Sequence, residues 1–194
     1  FNYGKEELEK YISALDARCL CANIAGIRGV EKTAIVTLQN GLRVGLAGVT
    51  THYVKLWEKP ENLAGIAVTD AFTAAKEAYD QLKAKADITV CIYHGGFERD
   101  VKTGKVMSDN DENQGWRICE ELGFDILLAG HQHTAAENVR INGTYTCQPP
   151  DKARQYIKMD VIVDGQITAE QHLMDAGNVT QAKAKALLLP AEKQ

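Results

Sequence analysis

Two stretches decide the fold: residues 86–96, ADITVCIYHGG, and residues 124–133, FDILLAGHQH. Each runs from an aspartate through an unbroken apolar segment to an end made of glycine and histidine. Continuous apolar runs of this length read as strands covered on both faces, as in a parallel sheet. Residues 110–122 between them read as a helix, with Trp116, Cys119 and Leu122 inward and Gly123 as its stop. Ahead of the first stretch, Thr69 or Asp70 can cap a helix whose apolar stripe is Phe72, Ala75, Tyr79 and Leu82. The spacing therefore predicts a βαβαβ core with right-handed crossovers. Ligand sites in such sheets lie at the carboxyl ends of the strands. If the two strands are neighbours, His94, His131 and His133 converge there, and Gly95, Gly96 and Gly130 let the backbone bend tightly.

Working outward, residues 5–16 carry Leu8, Tyr11, Ile12 and Leu15 at helical spacing, and a short strand is expected at 18–24. TAIVTLQ and LRVGLAGVT flank Asn40-Gly41, which predicts a β-hairpin with a type I′ turn. Residues 50–68, with Trp57 and Pro60, read as a loop. Beyond the second stretch the chain is expected to turn antiparallel. Asn142-Gly143 and Asp164-Gly165 each sit between alternating segments and mark two more hairpins. TQAKAKALLL, residues 180–189, reads as a weak helix stopped by Pro190.

Composition narrows the function classes. The 194 residues carry a formal net charge of −4 and no basic stripe, which argues against a nucleic-acid polymer as partner. No apolar run is long enough to span a bilayer. Five cysteines include a C-x-C at Cys19 and Cys21 on one face of the expected strand, but no CxxC pair. Buried free thiols, not a structural zinc site, are expected, which points toward a reducing compartment.

Imidazole suits zinc, manganese and iron. Three histidines alone make half of a hydrolytic site, because ions that cut phosphate esters are normally held by carboxylates as well. Asp87 and Asp125 begin their strands. At roughly 3.3 Å per residue, Asp87 lies about 20 Å from His94. The acids of residues 99–113 read as a solvated loop and helix N-terminus, and His52 and His172 as surface or structural residues.

HGG followed by GHQH resembles the last two metal motifs of the calcineurin-like metallophosphoesterases. FNYG at residues 1–4 is similar to the tail of that family's GNHEFNYG block. GVTTHYVKLWEKPENLAG, HGGFERDVKTGK, DENQGWRICEELGFDILLAGHQH and CQPPDKARQYIKMDVIVD resemble successive blocks of the bacterial 2′,3′-cyclic-nucleotide 2′-phosphodiesterase and nucleotidase branch. The likeness runs from Phe1 to about Met174.

The resemblance implies the second half of a four-layer α/β/β/α domain, a mixed sheet with a parallel βαβαβ core and C-terminal hairpins. Residues 1–194 would then be a partial catalytic domain. It implies two divalent ions (manganese, zinc, iron or similar), with His94 and His131 on one and His133 on the other. The bridging aspartate, the asparagine ligand and the catalytic histidine are expected upstream of Phe1, and a nucleotide-binding domain downstream. The expected activity is phosphoester hydrolysis of nucleotides, of 2′,3′-cyclic phosphodiesterase and 3′-nucleotidase type, with this chain inactive alone. A 5′-nucleotidase, a sulfur-ester hydrolase and a non-catalytic assembly fragment are the alternatives. An exposed apolar sheet face would favour a homodimer or pairing with the missing half. The branch implies the periplasm or cell wall, against the hint of the cysteines.

Overall fold

The computed structural model describes residues 1–177; the helix expected at 180–189 lies outside the described residues. In chain order the elements are α1 (Gly4–Ser13), β1 (Cys19–Leu20), β2 (Ile24–Ala25), β3 (Val30–Glu31), β4 (Thr33–Thr37), β5 (Arg43–Thr50), α2 (Val54–Trp57) and β6 (Ala67–Val68). Then come α3 (Ala71–Leu82), β7 (Ile88–His94), α4 (Gly115–Glu121), β8 (Ile126–Ala129), β9 (Ala136–Ile141), β10 (Thr144–Gln148), β11 (Gln155–Val163) and β12 (Ile167–Asp175). The main sheet has the order β4-β5-β7-β8-β10-β9. Strands β5, β7 and β8 are parallel neighbours, joined by α3 and α4 as expected. The register pairs Thr50 with His94 and Tyr93 with Ala129, so the carboxyl ends of all three strands lie along one edge.

Both helices cover the same face. Ala75, Ala78, Leu82, Ile118 and Cys119 pack on Ala47, Val49, Cys91, Tyr93 and Leu127. Asp70 caps α3, its carboxylate accepting from the Thr73 N–H at 2.7 Å. The other face carries Ile88, Val90 and Ile126, covered by Met159 and Ile167 of the β11–β12 hairpin. Strand β7 is thus mostly apolar because most of it is buried from two sides. Ile92, nearer the carboxyl edge on that second face, remains 44% exposed.

Several local expectations are corrected. The strand at 18–24 is interrupted. Asn23, 2% exposed, donates to the carbonyls of Thr50 and Thr69 and accepts from the Thr50 N–H, so its side chain links two later segments. The 50–68 loop contains α2 and β6. The Asn40-Gly41 turn is not type I′, since only Gly41 has positive φ. The Gly41 N–H bonds the Leu38 carbonyl and the Leu38 N–H bonds Leu42, the pattern of a three-residue loop with glycine in the left-handed position. Asn142 and Gly143 both have positive φ and do form the expected two-residue turn. Downstream pairing is not all antiparallel: β10 lies parallel to β8, with β9 outside it. Helix α4 begins at Gly115, not near 110, and ends at Glu121, where Gly123 makes room for the Tyr79 hydroxyl.

Candidate metal centre

The carboxyl edge gathers the histidines. His94 closes β7, and His131 and His133 follow β8. The rings of His94 and His131 meet edge to face with centroids 5.4 Å apart. Partial desolvation lowers the pKa of His94, and the nearby His131 and His133 lower it further, which favours the neutral imidazole that can donate a lone pair. His131 and His133 have φ of 77° and 57°, the left-handed region that side chains other than glycine seldom adopt. Such backbone costs of order 1–3 kcal/mol per residue and persists where surrounding contacts over-determine it.

Those contacts are specific. Gln132, between the two histidines, lies across the loop that follows β7. Its Oε1 accepts from the Phe97 N–H and its Nε2 donates to the Phe97 carbonyl, both at 2.9 Å. The Gly96 N–H donates to Asn113 Oδ1, and the Gly130 N–H bonds the Gly95 carbonyl. Gly95 and Gly96 are required for space, not for an unusual φ. A Cβ on Gly95 would lie 2.0 Å from the Tyr93 ring, and one on Gly96 would lie 2.1 Å from the Gln132 side chain. The loop from β7 to α4 is fixed in turn by Glu98. Its half-buried carboxylate accepts from the Trp116 and Arg117 N–H groups at the start of α4, and burial raises its pKa.

The carboxylates divide into two groups. Asp87 and Asp125 hold strand entries, as expected: Asp87 accepts from the Arg43 N–H and guanidinium, and Asp125 from the Thr89 N–H and hydroxyl. Glu112, by contrast, is not part of a solvated loop. Its Oε1 lies 2.9 Å from His131 Nε2. On the ring face of His131, Trp57 stacks with centroids 5.1 Å apart and planes at 21°. His52 stays outside the cluster with Nδ1 3.7 Å from Asp70 Oδ2, and His172 is exposed on β12.

No family model matches the chain. Over 167 residues, 82% of its length, it is 25% identical to the uncharacterized metallophosphoesterase YunD of Bacillus subtilis (strain 168), and spans 32% of that protein. The structure superposes on a Staphylococcus aureus protein assigned as a 5′-nucleotidase with a TM-score of 0.82 and 28% identity, covering 90% of this chain and 36% of that one. The chain resembles metallophosphoesterases in sequence and has the calcineurin-like fold. The fold also matches the calcineurin-like phosphoesterase YfkN from B. subtilis at a TM-score of 0.74 and 23% identity, over 97% of this chain and 65% of that one. The chain thus spans about a third of the curated metallophosphoesterase it resembles.

A metallophosphoesterase uses divalent ions, and the donors here suit them in part. Three imidazoles share one sheet edge, and Glu112 engages Nε2 of His131. Among the described residues, no three His, Cys, Asp or Glu side chains stand close enough to hold an ion by themselves. The set fits as a contribution to a metallophosphoesterase centre, not as a closed cage. Glu112 and Trp57 are the residues that sequence reasoning missed. Neither has a periodic or spacing signal; one lies in an acidic loop and the other in a segment read as irregular.

Proposed function

We propose that this chain carries the histidine half of a two-metal centre that hydrolyses nucleotide phosphoesters. His94 and His131 hold one divalent ion and His133 the other. The observation that carries the reading is the meeting of His94 and His131, 5.4 Å apart, at the ends of adjacent parallel strands. When bound, two ions polarise phosphoryl oxygens and supply a nucleophilic hydroxide. The chain's own residues ligate and orient: Gln132 and Asn113 fix the two histidine-bearing loops, and Glu112 and Trp57 flank His131. A cleft of about 730 Å³ beside His131 is lined by Arg99 and Lys102 together with Asp100 and Glu112.

In this reading residues 1–194 are part of a catalytic domain. The bridging aspartate, the asparagine ligand and the histidine that protonates the leaving group come from residues outside this sequence. The chain alone turns over negligibly and pairs with that other half, for which the 44%-exposed Ile92 offers apolar contact. The substrate class is a nucleotide. The WEKPENLAG segment supports the 2′,3′-cyclic branch, and the assignment of the S. aureus protein supports a 5′-nucleotidase. A periplasmic or cell-wall location follows the branch; no described helix is long and apolar enough to cross a membrane.

The test is Mn²⁺ or Zn²⁺ titration of the wild type and His131→Ala. It is paired with hydrolysis assays on a 2′,3′-cyclic nucleotide, nucleoside monophosphates and an aryl phosphate. Weak uptake abolished in the variant, with hydrolysis appearing only when an upstream metallophosphoesterase half is added, is expected. Uptake unaffected by the substitution, or hydrolysis by the chain alone, overturns the assignment of ligands.

A further inference from the structure

The surroundings of His131 exceed what packing requires. A carboxylate, a stacked indole and a left-handed backbone all restrain one ring. Stacking on Trp57 sets the plane of the imidazole, and the hydrogen bond to Glu112 sets its rotation. A carboxylate can only accept, so a neutral His131 carries its proton on Nε2 and its lone pair on Nδ1. Glu112 is itself held in place. Its carbonyl accepts from the hydroxyls of Thr51, at 2.7 Å, and Tyr93, at 3.4 Å, and its N–H donates to Asn110 Oδ1. Thr51 and Tyr93 are each 1% exposed. Directly after it, Asn113 bonds the Gly96 N–H and the Gln114 N–H bonds the Tyr93 hydroxyl. The carboxylate therefore projects from a clamped segment, 19 residues before the histidine it touches.

We infer that Glu112 is a positioning residue, locking His131 as the Nε2–H tautomer with Nδ1 presented as the metal-binding atom. The inference rests on the metal-centre reading above. A carboxylate on the far nitrogen of a ligating imidazole fixes the ring and raises its basicity, and removing such a partner typically weakens metal binding about 10–100-fold. Residues 99–113 thus contribute a carboxylate to the site through a histidine, and not as a direct ligand.

The experiment uses the ¹⁵N-labelled chain without added metal, in mildly alkaline buffer where imidazoles are neutral. Long-range imidazole NMR correlations read the tautomer of His131 directly. The wild type is expected to show Nε2–H. Glu112→Ala is expected to show a mixture of tautomers, and Glu112→Gln, whose amide oxygen still accepts, is expected to retain the wild-type tautomer. Zn²⁺ titration followed on the same signals is expected to weaken about 10–100-fold in Glu112→Ala and to recover in Glu112→Gln. An Nδ1–H tautomer in the wild type, or equal tautomers and equal Zn²⁺ affinity with and without Glu112, overturns the positioning role. A locked Nε2–H tautomer with no Zn²⁺ response at any histidine instead overturns the metal-centre reading. The wild-type tautomer needs no variant, so a misfolded Glu112→Ala leaves the test decisive.

Discussion

Gly96→Ala tests what holds the two histidine loops together. Gly96 is buried and its φ lies outside the left-handed region, so alanine meets no backbone penalty there. The new Cβ would stand 2.1 Å from Gln132 Cδ, 2.2 Å from Oε1 and 2.3 Å from Cγ. The Gln132 amide must leave, and both of its hydrogen bonds to Phe97 go with it. A net loss of about 1 kcal/mol per bond, rising when a buried partner is orphaned, gives a destabilisation of about 2–4 kcal/mol. Gln132→Ala should cost about the same, because it deletes the same two bonds. The double variant decides the mechanism. With the glutamine side chain gone, the alanine Cβ has lost the atoms it struck, so Gly96→Ala should add less than about 0.5 kcal/mol on that background. Urea unfolding of the four proteins, with slopes compared so that midpoints can be read as free energies, measures this. Additive costs, or a Gly96→Ala variant as stable as the wild type, would refute the steric argument.

Three further outcomes are expected. Asp70→Ala removes the cap of α3 and leaves the buried Gln114 Nε2 without its acceptor, so it should cost about 2–3 kcal/mol in urea unfolding; a loss under about 0.5 kcal/mol would contradict the role. The hydrogen bonds and charge of Arg43 hold the Asp87 carboxyl down to about 2. A lowered native pKa adds stability above the unfolded value of about 3.9 that is lost as pH falls toward 2, so the gap in urea midpoint between wild type and Asp87→Asn should shrink over that window; a constant gap would reject the ion pair as its source. Burial pushes the thiols of Cys21 and Cys119 up to about 12 and Cys147 up to about 11, and raises Cys91 as well. Thiolate is the reactive form, so an aromatic disulfide reagent should label Cys19 quickly in the native protein and the other four only after unfolding. Rapid labelling of two or more would show the core to be open.

The sequence by itself determined the βαβαβ core and the edge on which the histidines meet. Those features rest on local periodicity, on Asp70 as a cap, and on the geometric rule that crossovers between parallel strands are right-handed. Asn142-Gly143 was legible for the same reason, since both residues tolerate positive φ without outside help. Asn40-Gly41 carries the same dipeptide, yet its turn was decided by the Leu38–Leu42 pairing around it. Tertiary contact also decided the start of α4, because the N–H groups of Trp116 and Arg117 are satisfied by Glu98 from a distant loop. It broke the strand at 18–24, where Asn23 serves the backbones of Thr50 and Thr69. Above all, it brought Glu112 and Trp57 to His131. A carboxylate in a polar loop and a tryptophan after a short turn look the same in sequence whether they face solvent or a histidine. Only the folded sheet edge, where segments 57, 112 and 131 meet, gives them a partner, because hydrogen bonds and ring stacking depend on positions in space and not on spacing along the chain.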